Sequence, residues 1–173
     1  MLKLDGAMMT NTCKTLLRRF ILLSCALQVT PAPVADAANG DVLWQKSAGS
    51  YDTDMLLNEP VVRTSLERLL GSEMQHFSSN LYVRGSVDLI SGSLSLSGNA
   101  AHGGGSEEAV LCVSMYNSTV SAAIFSIGTI TVYSEHPDYN SQSLCIKDWI
   151  TQVNSGHRDR LAAPANVRIV KVK

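Results

Sequence analysis

The run GSLSLSGNAAHGGGSEEAVLCVSMY, residues 92–116, contains two kinds of strand and the segment that joins them. Leu94 and Leu96 alternate with serines, the period of two expected of a half-buried strand. From Ala109 to Val113 every side chain is apolar, so that strand hides both faces and belongs at the centre of a sheet. Upstream, Val83, Val87 and Leu89 lead into the first of these strands. Downstream, TVSAAIFS (119–126) and GTITVYS (128–134) follow at hairpin spacing, with Asn117-Ser118 and Ser126–Gly128 as turns. Four or five consecutive strands without an intervening helix predict an antiparallel meander.

The flanks have helical period. In DTDMLLNEPVVRTSLERLLG (52–71), Asp52 or Asp54 can cap a short first helix, and Pro60 suits the start of a second, where its missing N–H costs nothing. Val62, Leu66, Leu69 and Leu70 share one face, Gly71 is the stop, and Arg63, Glu67 and Arg68 face water. SEMQHFSSNLYV (72–83) continues for a turn or two with Met74, Phe77 and Leu81 on one side, which makes His76 a solvated helix residue. NSQSLCIKDWITQVNSG (140–156) is a last helix capped by Ser143, with Cys145, Ile146, Trp149, Ile150 and Val153 as its stripe and Gly156 as its end. NVRIVKVK (166–173) closes the sheet as an edge strand whose Arg168, Lys171 and Lys173 discourage edge-to-edge association. The sum is an α+β domain: a central antiparallel sheet of about five strands with helices packed on one face.

The first 37 residues have the form of an export signal. Lys14, Arg18 and Arg19 precede the apolar run Phe20–Val29, and Ala35–Ala37 (ADA) fits the small-x-small cleavage pattern. The run is about half the length a membrane-spanning helix needs. Residues 38–173 are then a single exported domain, with 38–50 as an irregular lead-in, and a periplasmic or secreted location follows. That domain has ten basic against thirteen acidic side chains and no block of Lys or Arg, which argues against a nucleic-acid or anionic-membrane surface. Cys13 and Cys25 leave with the signal; Cys112 and Cys145 remain as either one disulfide or two buried, unpaired thiols.

The catalytic inventory is thin. His102 with Glu107 and Glu108 could be read as a base and its orienter, but a triple glycine separates them, and a catalytic group must be held to within about half an ångström. His136 lies in the loop SEHPDYN and His157 in GHRDR, with none of the spacing of a zinc site. There is no nucleophile elbow. The glycine run lacks the Lys-Ser/Thr of a phosphate loop and precedes a strand where a helix N-terminus is required. We therefore expect no enzyme, no metal and no cofactor. A loop that exposes one imidazole, with Gly103, Gly104 and Gly105 letting backbone approach closely, suits insertion into a concave partner. An imidazole both donates and accepts a hydrogen bond, so it can sit between two carboxyl groups of unlike protonation, as glycosidase active sites present them.

At this point the residues from Met55 to Ser134 resemble the inhibitor of vertebrate lysozyme family, Ivy. The resemblance rests on the helix VVRTSLERLLG, the strands after it, and AHGGGSEEAVLCV followed by VSAAIFS. It implies a periplasmic protein that binds lysozyme through a short loop of pattern C-K-P-H-D-C-G, whose histidine enters the cleft. His102 then corresponds to that histidine and Gly105 to the closing glycine, with Glu107 and Glu108 as rim contacts. The sequence departs from the pattern at Asn99 and Gly104, which take the places of the two loop cysteines, at Ala100 and Ala101 for Lys-Pro, and at Gly103 for Asp. Without a disulfide clamp the loop is expected to lose entropy on binding, about 1 kcal/mol for each ordered residue. Three alternatives stand beside lysozyme inhibition: an immunity or binding protein for a bacterial toxin, an Ivy-like fold without inhibitory activity, and a small hydrolase or metal protein using His102, His136 and His157. A homodimer is a further candidate assembly.

Overall fold

The computed structural model describes residues 46–155 and 164–172. The signal segment, most of the lead-in and His157 lie outside the described residues. Among the described residues, helices α1 (Thr53–Leu57), α2 (Pro60–Leu70), α3 (Met74–Asn80) and α4 (Leu144–Val153) accompany seven strands. These are β1 (Val83–Arg84), β2 (Asp88–Ile90), β3 (Ser93–Asn99), β4 (Glu107–Ser114), β5 (Val120–Ser126), β6 (Thr129–Ser134) and β7 (Val167–Lys171). The chain is α+β, with more strands than the five expected.

Local rules account for most of these elements. Pro60 opens α2, Gly71 ends it at φ 51°, and Val62, Leu66, Leu69 and Leu70 are its buried face. In α4 the Ser143 hydroxyl accepts the Ile146 N–H at 3.3 Å. Asp52 stands at the N-cap position of α1, but its side chain makes no capping bond.

The sheet runs β1-β3-β4-β5-β6-β7, with β2 also pairing β3. β1 pairs with the end of β3 through Val83↔Asn99 and β2 with its start through Asp88↔Ser95, so the two short strands share one edge. Gly98 is fixed by this arrangement, since a Cβ there would stand 2.6 Å from the Val83 carbonyl oxygen.

Two expectations are corrected. The sheet is mixed: β7 lies parallel to β6, through Ile130↔Val167 to Ser134↔Lys171. The cause is the intervening helix, because a chain that leaves β6, crosses the sheet as α4 and returns comes back in the same direction. The helices also cover both faces. Leu94, Leu96, Ala109, Leu111, Val113, Ala122 and Ile124 face one way and form a core with Leu56, Val62, Leu66, Leu69 and Phe77 of α1–α3. Val110, Cys112, Ala123, Ile130 and Val132 face the other way, against Cys145, Ile146, Trp149 and Ile150 of α4. The half-buried strand expected from the Ser-Leu alternation is accordingly buried on both sides from Ser93 to Leu96.

Cys112 and Cys145 form a disulfide with Cα atoms 6.1 Å apart, joining central strand β4 to α4 across 33 residues. Cross-linking a loop of that length restricts the unfolded chain and stabilises the fold by about 2–4 kcal/mol. The double variant Cys112→Ala/Cys145→Ala is expected to lose that amount in urea unfolding. Equal stability of the variant and the oxidised wild type would remove the disulfide from the account.

Candidate functional site

The segment between β3 and β4, residues 100–106, is a pair of interlocked turns. The Gly103 N–H bonds the Ala100 carbonyl at 2.9 Å, and the Gly103 carbonyl in turn accepts the N–H groups of Ser106 and Glu107 at 3.0 and 2.8 Å. The Ala100 N–H meets the Glu107 carbonyl at 3.0 Å, closing the loop at its base. Side chains add to this. Asn99 Nδ2 donates to the Ala100 carbonyl at 2.8 Å, the Ser106 hydroxyl to the Gly103 carbonyl at 3.1 Å, and Glu108 Oε1 accepts the Gly105 N–H at 2.9 Å. Two of the three glycines are thus required by the tight folding, Gly103 and Gly105, while Gly104 has room for a side chain. A Cβ on Gly103 would lie 2.9 Å from the Ala100 Cβ, and Gly105 holds φ 83°.

His102 sits at the apex, exposed, with φ 61°. A non-glycine residue in this left-handed region is uncommon and costs of order 1 kcal/mol, held only because the surrounding bonds determine it. Of the expected rim contacts, Glu108 turns back to hold Gly105, and Glu107 turns inward beneath the loop. The other histidines do not converge on this place. His136 lines a separate cavity of about 230 Å³ with Ser91, Tyr116 and Leu144, where the far turns of the sheet meet α4.

Under the loop lies a polar cluster that sequence reading missed. Glu107 Oε2 meets His76 Nε2 at 3.1 Å and accepts from Asn80 Nδ2 at 3.0 Å, while Oε1 accepts the Ser126 hydroxyl at 2.7 Å. His76 Nδ1 also faces Glu73 Oε2 at 3.4 Å. Asn80, almost fully buried, reaches the carbonyls of Glu108 and Phe125 at 3.4 Å each. His76 is therefore no bystander on a solvated helix face. The i, i+3 and i, i+4 spacing of Glu73, His76 and Asn80 was the available signal, but their shared partner lies 27 residues or more along the chain.

These bonds shift both ionisable partners. The Glu107 hydrogen bond, reinforced by Glu73, raises the His76 pKa above its ordinary 6.5 against the opposing effect of burial. Burial pushes Glu107 upward, but hydrogen bonds from Ser126, Asn80 and His76 outweigh it and hold the carboxyl below its ordinary 4.5. Among the described residues no group of three or more His, Cys, Asp or Glu is placed to hold a metal ion.

The sheet is covered on both faces, and the hydrogen-bonded loop at one of its ends exposes the His102 imidazole. The chain belongs to the inhibitor of vertebrate lysozyme (Ivy) family, whose family model matches residues 61–155, from α2 through α4 and across the whole loop. No curated protein and no solved structure matches the chain.

The His76–Glu107 pair carries a pH signature. A raised histidine pKa contributes stability that is present below the unfolded value and fades as pH rises through the folded value; the lowered Glu107 contributes stability that fades as pH falls through its folded value. Wild-type stability should therefore decline as pH rises above the ordinary histidine value of 6.5, by under about 1 kcal/mol because the pair is partly exposed. In His76→Gln this component of the decline should vanish. An identical pH slope in the variant, read by urea unfolding, would contradict the assignment.

Proposed function

We propose that the chain is an exported, periplasmic inhibitor of a lysozyme-type glycosidase, acting by insertion of the 100–106 loop and not by turnover. The observation that carries this reading is His102, exposed and held at positive φ by a loop whose own hydrogen bonds fix its course. Membership of the Ivy family supports lysozyme as the partner class. Residues 1–37, read as a signal, account for the compartment.

A neutral imidazole placed between the two carboxyl groups of a glycosidase donates to the ionised one and accepts from the protonated one. It occupies the position of the substrate's glycosidic oxygen and offers no bond to cleave. Gly104 and Gly105 beside it carry no side chain that would block entry to a narrow cleft. The brace also offsets the missing family disulfide, since a loop already ordered by seven internal hydrogen bonds has less entropy to lose on binding.

The test is inhibition of a C-type lysozyme by residues 38–173, side by side with His102→Ala. Wild type should inhibit with dose dependence. Removing a buried central contact of this kind should weaken inhibition at least about tenfold. Full potency in His102→Ala would overturn the insertion mechanism, and no inhibition by folded wild type would overturn the lysozyme assignment.

A further inference from the structure

The β5–β6 hairpin ends in Ser126-Ile127-Gly128-Thr129, with Ser126 paired to Thr129 and φ values of 48° at Ile127 and 78° at Gly128. Two consecutive left-handed residues make this a two-residue hairpin turn of the kind that favours Asn-Gly or Gly-Gly. Ile127 is a poor choice on both counts that matter. Its branched Cβ makes positive φ a true outlier, and its side chain is 89 % exposed. An asparagine would relieve the strain and the exposure together, so nothing in the folding of the hairpin calls for isoleucine.

The location gives the side chain a use. The register Glu107↔Ser126 brings this tip to the same end of the sheet as the His102 loop. The bond from the Ser126 hydroxyl to Glu107 and the contact of Asn80 with the Phe125 carbonyl tie the two hairpins together at their bases. With strands spaced about 4.8 Å apart, the axes of the two hairpins lie about 10 Å apart. One end of the sheet thus presents two exposed tips, both strained, one an imidazole and the other aliphatic.

We infer that Ile127 is a second docking prong that seats on an apolar lip beside the cleft entered by His102. The inference rests on the insertion reading above and adds to it. The partner is a protein whose carboxylate-bearing cleft is flanked, about 10 Å away, by an apolar rim. A single exposed isoleucine adds little area, but at the margin of an inserted loop it excludes water from the charged contact and slows release.

The experiment measures lysozyme inhibition and thermal midpoint for wild type, Ile127→Asn and His102→Ala in parallel. Ile127→Asn should unfold at a higher temperature, because asparagine accepts the left-handed conformation, and yet inhibit about tenfold more weakly, mainly through faster dissociation. Unchanged inhibition by Ile127→Asn while wild type inhibits would overturn the second prong and leave the insertion reading standing. A lower thermal midpoint in Ile127→Asn would assign Ile127 to packing and likewise overturn the prong. Absence of inhibition by folded wild type would overturn both.

Discussion

Strands β4 and β5 are buried on both faces, and that constraint arranges the rest of the molecule around them. Leu111 and Ala122 need α2 and α3 above them, while Val110 and Ala123 need α4 below. The chain meets the second demand by sending α4 across after β6, and the return strand β7 must then run parallel to β6. The Cys112–Cys145 bond pins the helix to the strand it covers. With the middle of the sheet so enclosed, the turns at its ends stand exposed.

Glu107 ties together the end of the sheet that carries the His102 loop. It is the first residue of β4 and closes the base of the His102 loop through its backbone, while its carboxylate holds α3 through His76 and Asn80 and the β5–β6 hairpin through Ser126. Strain at His102 is sustainable because the turns on either side of it are closed by hydrogen bonds and anchored at Glu107. The family loop pattern implies a covalent clamp. In this chain the loop is held by hydrogen bonds from its backbone and from Asn99, Ser106 and Glu108, and by the close approach of Gly103 to Ala100.

Much of this was legible in the residues, and the parts that were not share a cause. The stripe Val62, Leu66, Leu69 and Leu70 and the wholly apolar run 109–113 are local patterns, and they identified α2 and the central strand correctly. Equally local is the Ser143 cap. A stripe such as Cys145, Ile146, Trp149 and Ile150 announces a buried helix face but carries no information about which side of the sheet it will cover, so the expectation of helices on one face failed. The His76–Glu107 pair joins residues 31 apart and has no spacing signature. The order of the glycine run has no residue signature either, because four of its seven hydrogen bonds join backbone groups that every sequence shares.

The central claim is that the end of the sheet bearing His102 and Ile127 is the docking end. Amide hydrogen exchange of the chain with and without a C-type lysozyme tests it most directly. The account predicts new protection at residues 100–108 and 126–129 and none at the opposite turns, around Ser91 and Tyr116. Protection confined to those opposite turns, or to the outer faces of α2 and α4, would contradict it.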